Sequence, residues 1–379
     1  EDPLEALSKV PAAVMHVSAE RAEELAGLKE GDRTSTGREL SFGSPKETLE
    51  DLQKWGSAPL PRHTKDYHNH HFNGDKWELV SPRKDDIVIA TAYKSGTTWV
   101  QAIVFNLLFK DELTDAMQSS ISSRTPWVDM RLPPPAALKE MLDAQTHRRF
   151  LKTHLPLDGL PFSTNMKYIV ICRDLRDVAY SWHNHWKAAE LLWPRFNRVT
   201  GLIGPPMKEY DDNITPHELF RGFAGLASDE HSDSSLWSYY HHLGTWWQYR
   251  DLPNVLMLHY ANLKADPAGE IKRIADFIGV EVTDAELIGI VERTDIKYMK
   301  EHASAILGDE FELFFKQKDG SKGAQKFIHK GTNGRWKDDI TDEESEAYVY
   351  IAEERLGPDA TKFMLEGVMP SAAPGKEEL

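Results

Sequence analysis

Lys94-Ser95-Gly96-Thr97-Thr98 concentrates more usable chemistry than any other short stretch of the chain. A glycine at position 96 lets the backbone approach an anion closely and turn in a way that side chains forbid. If a helix starts here, its first amides and its dipole attract the same anion. Thr97 and Thr98 add hydroxyl donors, and Lys94 adds a mobile positive charge. The pattern differs from the nucleoside-triphosphatase loop, which has two glycines and places its lysine after the second. It therefore points to a bound phosphate-like group without a triphosphate's magnesium site. A second cluster, His63, His68, His70 and His71, has the wrong spacing for a zinc signature, and no metal is expected there.

These residues need a frame. Asp86–Tyr93 is a short apolar run that reads as a buried strand directly before the loop. After it, Val100, Ile103, Val104, Leu107 and Leu108 fall on one helical face. The grammar recurs with Met166–Cys172 as a strand, followed by Leu175, Val178, Ala179, Trp182 and Trp186 on a helix. It recurs again with Asn254–His259, followed by Ile271, Ile274, Ala275 and Ile278. Strands alternating with amphipathic helices predict an α/β domain, a central parallel sheet flanked by helices with a P-loop-like anion loop. Residues 1–80 read as an N-terminal extension and 81–368 as the single domain. Residues 190–235, rich in Pro, Gly and acidic residues, read as a lid-like insertion, and 369–379 as a flexible tail.

Composition narrows the partners. The chain of 379 residues carries 45 Lys plus Arg against 60 Asp plus Glu, a formal charge of −15. Such a surface repels polyanions, so a nucleic-acid partner is not expected. With no run of eighteen apolar residues, no membrane span is expected. The one cysteine, Cys172, makes an intrachain disulfide impossible and suggests a reducing compartment, so a cytoplasmic protein is expected.

Thr91-Ala-Tyr-Lys-Ser-Gly-Thr-Thr-Trp99 resembles the 5′-phosphosulfate loop of the cytosolic sulfotransferases, which use 3′-phosphoadenosine 5′-phosphosulfate (PAPS). Tyr93 stands where that family usually has proline. Tyr168-Ile-Val-Ile-Cys-Arg-Asp-Leu-Arg-Asp-Val-Ala-Tyr-Ser181 is similar to the family's 3′-phosphate segment. The resemblance assigns Arg173 and Ser181 to that phosphate, and a guanidinium fork suits a dianion. Phe327-Ile-His-Lys-Gly-Thr-Asn-Gly-Arg-Trp-Lys337 is similar to the C-terminal RKGxxGxWK signature. It implies that His329, in place of the usual arginine, Lys330 and Gly331 add to the grip. Ser95, Gly96, Thr97 and Thr98 would hold the phosphosulfate, and Trp99, Tyr240 and Thr294 the adenine. Leu151-Lys-Thr-His-Leu-Pro156 resembles the family's KTHLP segment, whose histidine is the general base. It makes His154 the base, with Lys94 and Lys152 countering charge on the transferring group.

The resemblance implies transfer of a sulfonate group from PAPS, leaving 3′,5′-adenosine bisphosphate (PAP), to a hydroxyl or amine of a small molecule. A dehydratase that sulfonates an alcohol and then eliminates, or an inert PAPS-binding homologue, are the alternatives. Trp182, His183, His185 and Trp186, with Trp193 and Phe196 from the insertion, could line the acceptor pocket. Lys337, Thr341 and Glu346 match the family's dimer motif KxxxTVxxxE, but Asp342 replaces its valine. The oligomeric state is left open.

Overall fold

The structure is a computed structural model that describes residues 60–69, 71–110, 120–189, 211, 213–227, 237–308, 311, 315 and 323–370. Most of the expected extension, His70, Trp193, Phe196, the two ends of the expected lid and the last nine tail residues lie outside the described residues. Among the described residues there is a four-stranded sheet, made of β1 (Asp86–Thr91), β2 (Phe150–Thr153), β3 (Met166–Cys172) and β4 (Val255–His259). Every pairing is parallel, in the order β2-β1-β3-β4.

Period-two alternation sorts the side chains. Ile87, Ile89, Ile169 and Ile171 face one layer, and Val88, Ala90, Tyr168 and Val170 face the other. On the first layer lie α1 (Thr97–Leu108), through Val100 and Ile103, and later α5 (Pro267–Ile278), through Ile271 and Ile274. On the second lies α2 (Leu175–Ala188), through Leu175, Val178 and Ala179. Each fully buried isoleucine contributes roughly 1.5–3 kcal/mol. Because the chain leaves β1 toward one face and β3 toward the other, a crevice opens between them at their carboxyl ends. In an open α/β sheet that switch point is where ligands bind.

Two boundaries differ from the sequence reading. The first strand ends at Thr91, not Tyr93, because its pairing stops there: β3 pairs it as far as Thr91 and β2 only as far as Ala90. The chain then turns, with Lys94 at φ 62. Asn254 precedes β4, although its carbonyl still accepts from the Tyr168 amide at 2.7 Å. Within the expected lid, α3 (Pro216–Ala224) packs on α2. Its Leu219 joins the Trp182–Trp186 cluster, and its Phe220 meets Tyr348 of α7 (Asp342–Leu356) with centroids 5.5 Å apart. That part of the segment belongs to the body of the fold. Residues 60–80 likewise deliver Tyr67, Phe72, Trp77 and Val80 to the core. Thr341, read against a dimer motif, caps α7 by accepting from the Glu344 amide.

The sheet's base is tied by a buried ion pair between Arg149 and Asp86, each 2% exposed. Arg149 also donates to the Ser81 carbonyl at 2.8 Å, and Asp86 accepts from the Arg83 amide at 2.8 Å. Removing one partner of such a pair leaves the other charge buried and alone. Arg149→Met is therefore expected to cost about 3–5 kcal/mol of unfolding free energy in a urea titration. A loss below about 1 kcal/mol would show the pair to be dispensable.

Candidate active site

Side chains from the four motifs meet at the crevice. Gly96, at φ 117, caps α1 without a side-chain bond, so no side chain of its own covers the helix's amino end. A Cβ there would stand 2.9 Å from a Tyr260 ring carbon and 3.1 Å from Ile171 Cδ1, so only glycine fits. Thr97 and Thr91 share a hydroxyl hydrogen bond of 2.6 Å, and the Ser95 hydroxyl lies 3.5 Å from that of Tyr239. Thr98 and Trp99 are half-buried in the first turn.

Arg173, which follows β3, binds the crevice together. Its guanidinium donates to the Lys94 carbonyl (3.1 Å), the Thr332 carbonyl (3.1 Å) and Asn333 Oδ1 (2.8 Å). It also lies over the Tyr260 ring at 4.1 Å. One side chain thus links the loop after β1, the end of β3 and the 331–334 turn. The turn is fastened again where the Gly334 amide donates to Asp177 at 2.8 Å. Gly331 takes φ 61, and a Cβ there would press on Ile296 at 3.0 Å.

Lys94, Lys152 and Arg173 form a concentration of cations. Burial, then the Lys152 and Arg173 charges, push the Lys94 amine down to about 7. Burial lowers Lys152 to about 8 against the pull of Asp129. Among the described residues neither lysine forms an ion pair. Lys94 lies over Phe327 (4.7 Å) and Lys152 over Trp127 (4.1 Å). Converging, desolvated cations of this kind are stabilised by a bound anion.

His154 follows β2 and is 3% exposed. Its Nδ1 lies 2.8 Å from the Thr91 carbonyl, which can only accept, so Nδ1 carries the proton and Nε2 keeps its lone pair. Burial first, then Lys152, hold its pKa well below the ordinary histidine value. The ring stacks on Tyr93 at 4.1 Å and meets the edge of Trp127 at 4.9 Å. A neutral imidazole with a fixed tautomer is poised to accept a proton.

The remaining expected residues are more dispersed. Ser181 is half-buried on α2. Tyr240 donates to the Ala224 carbonyl (3.2 Å). Its neighbour Tyr239 accepts from the Arg173 amide (2.9 Å) and donates to the Arg173 carbonyl (2.5 Å). Thr294, last in α6 (Asp284–Thr294), donates back to the Ile290 carbonyl at 2.8 Å. Trp99 stands edge-on to Tyr260 at 5.3 Å, with its Nε1 buried and unbonded among the described residues. His329 is lowered to about 4 by burial, then Arg335 and Lys330, while Lys330 itself is exposed.

Sequence reasoning passed over Tyr239, Asn333, Trp127 and Asp129. Asp129 is fully buried and accepts from Trp77 Nε1 (3.1 Å), Trp127 Nε1 (2.9 Å) and the His154 amide (3.3 Å). Burial raises its carboxyl pKa. Residues 126–128 pair with the outer edge of β2, where Val128 donates to the Lys152 carbonyl and Lys152 to the Pro126 carbonyl. No spacing in the sequence announces that contact. Of the expected acceptor-pocket residues, Trp182 and Trp186 are buried, and Trp182 meets Tyr93 edge-on at 5.0 Å. In the histidine cluster His68 pairs with Asp75 (2.8 Å) and His71 bonds Tyr93. Among the described residues no helix is long and apolar enough to cross a membrane.

The family described as "Sulfotransferase domain" matches residues 84–358. A glycolipid sulfotransferase of Mycobacterium bovis is 30% identical over 313 residues, covering 77% of this chain and 91% of that protein. Sulfotransferase 1C2 of Rattus norvegicus is 26% identical, with the same coverage. Among solved structures, retinol dehydratase in complex with retinol and PAP superposes with a TM-score of 0.57 at 24% identity. That match covers 74% of this chain and 84% of the other, and it shows a shared fold.

Proposed function

The chain belongs to the sulfotransferase family, and on that premise we propose that it sulfonates a hydroxyl or amine of a small-molecule acceptor, using PAPS as donor and His154 as base. The observation that carries the assignment is the meeting of Lys94, Lys152 and Arg173 beside a neutral, Nδ1-protonated His154.

The crevice fits the donor. Its glycine cradle admits no Cβ, its helix start is uncapped by a side chain, and its lysines have no carboxylate partner among the described residues. Lys94, Ser95, Gly96, Thr97 and Thr98 would hold the phosphosulfate, and Arg173, Ser181, His329, Lys330 and Gly331 the 3′-phosphate. Trp99, Tyr240 and Thr294 would meet the adenine, the first offering an unbonded indole N–H. When bound, PAPS supplies an electrophilic sulfonate whose leaving group is the phosphate of PAP.

The chain's own residues do the rest. His154 Nε2 takes the proton from the acceptor as its oxygen or nitrogen becomes nucleophilic. Lys94 and Lys152 place positive charge where negative charge develops, in a buried setting that strengthens it. Asp129 stays out of proton transfer. It holds Trp127 under Lys152 and anchors the His154 amide. The single cysteine, buried and free, supports a cytoplasmic setting, and the sulfotransferase match supports a role in small-molecule metabolism.

The lysine shifts give a pH prediction. A group lowered to about 7 is charged below that pH and loses its charge above it. PAP affinity is thus expected to be highest below about pH 7. Above it, affinity should fall by up to about tenfold per unit for each lysine that deprotonates. Calorimetric titration between about pH 6 and pH 9 should also show proton uptake on binding. An affinity flat across that range would contradict a role for both lysines.

The activity itself is tested by PAPS-dependent release of PAP with a panel of phenols, alcohols, amines and guanidines. Turnover with one class names the acceptor. PAP release equally fast with every acceptor and with none would overturn directed transfer.

A further inference from the structure

Tyr93 stands where the family pattern has proline, and it makes contacts a proline could not. Its hydroxyl and His71 Nε2 are 2.5 Å apart. His71 is 2% exposed and is itself held in place. Its amide donates to Asn69 Oδ1 at 3.1 Å, and its carbonyl accepts from the Arg131 amide at 2.7 Å. The Tyr93 ring then lies on the His154 imidazole, with centroids 4.1 Å apart and planes 18° apart. Trp182 braces Tyr93 edge-on at 5.0 Å, and Trp127 closes on His154 at 85°.

The imidazole of His154 is therefore constrained in two independent ways. The Nδ1–H bond to the Thr91 carbonyl at 2.8 Å, with the Thr91 hydroxyl 3.1 Å from the same nitrogen, fixes its tautomer and one in-plane direction. Both contacts converge on one ring nitrogen and leave the ring free to rock about it. A ring stacked on one face removes this freedom, because any tilt collides with Tyr93 or opens a gap that dispersion disfavours. The phenol is no proton donor to solvent or base, since burial, then Asp129, raise its pKa well above the usual value. Its hydroxyl serves to tie the ring to His71.

We propose that Tyr93, pinned by His71, is a positioning residue for His154 that holds the imidazole plane in the orientation proton transfer requires and keeps water from its stacked face. The proposal rests on the reading of His154 as base. The charged and titratable groups around that imidazole are Lys94 from the loop after β1, Lys152 on β2 and Asp129 from the segment beside it. His185 on α2, His242 on α4 (Tyr239–Trp247) and His71, bonded to the stacked Tyr93, lie around it as well.

The test compares the parent chain with Tyr93→Leu, which removes the ring, and with Tyr93→Phe, which keeps the ring and cuts its tie to His71. Tyr93→Leu is expected to lower kcat about 30- to 100-fold, the scale of a misplaced catalytic group, with the KM for PAPS near the parent's. Tyr93→Phe, which keeps the stack but not the tie to His71, should fall between the parent and Tyr93→Leu in kcat. An NMR titration of the His154 ring nitrogens provides a readout free of turnover. In the parent the ring stays neutral and Nδ1-protonated well below the ordinary histidine midpoint. In Tyr93→Leu the midpoint rises, because water reaches the face. A Tyr93→Leu chain with parental kcat, or with an unmoved midpoint, overturns the proposal. So does a loss seen only in the KM for PAPS. If the parent transfers no sulfonate, the reading of His154 as base fails, whereas the NMR comparison still decides whether Tyr93 sets the imidazole.

Discussion

In His154→Ala, sulfonate transfer is expected to fall by about 10²- to 10⁴-fold, while PAP continues to raise the melting temperature as it does in the parent. The two halves of that result have separate causes. Among the described residues the imidazole bonds only to Thr91, at the end of β1, by its carbonyl at 2.8 Å and its hydroxyl at 3.1 Å, and it packs on the rings of Tyr93 and Trp127. None of the groups assigned to the cofactor phosphates bonds it directly, and Thr97 reaches it only through the Thr91 hydroxyl. Arg173 is held by Lys94, Thr332 and Asn333, and the glycine cradle by Tyr260 and Ile171. Burial and the neighbouring lysines already keep the imidazole neutral, so removing it changes no charge at the cofactor site. Cofactor affinity should thus hold. A variant that retains more than about a tenth of the parental rate would move the base elsewhere. One that loses PAP binding would make His154 a structural residue.

Arg173→Ala is expected to weaken PAP binding by about 10²- to 10⁴-fold. Hydrogen bonds from a charged group contribute about 1.5–3 kcal/mol each, and a phosphate takes two from one guanidinium. Losing both gives about 3–6 kcal/mol, at 1.4 kcal/mol per tenfold. Arg173→Lys should recover little, because an ammonium cannot span the Lys94 carbonyl, Thr332 carbonyl and Asn333 together. The same substitution should release the 331–334 turn, visible as faster amide exchange at Thr332 and Asn333. An affinity within about threefold of the parent would remove Arg173 from the cofactor site.

The sheet was legible because its strands are buried on both faces and read as unbroken apolar runs, as in Met166–Cys172. Helix faces were legible for the same reason: Leu175, Val178, Ala179, Trp182 and Trp186 are all buried. The anion loop could be read because its function needs a glycine, hydroxyls and a cation in sequence. What escaped is what the chain brings together from afar. Asp129 is 25 residues from His154 and reaches its amide only because the Pro126–Val128 segment lies along β2. Asn333 meets Arg173 across 160 residues. The neutrality of His154 could not be read either, since it comes from burial and from a carbonyl 63 positions away. Tyr93 was noticed as a departure, but its bond to His71 depends on the 60–80 segment folding into the core, which its polar composition hid. The helix Pro216–Ala224 was missed because prolines and acidic residues around it drowned a short apolar face.

The central claim is that the sulfonate ends on the acceptor. PAPS labelled on sulfur, incubated with the full chain and an acceptor that supports PAP release, decides it by where the label goes. Label should be found covalently bound to the acceptor, one for each PAP formed, and should be lost from it in His154→Ala. Label recovered as inorganic sulfate at the same rate with and without acceptor would contradict it.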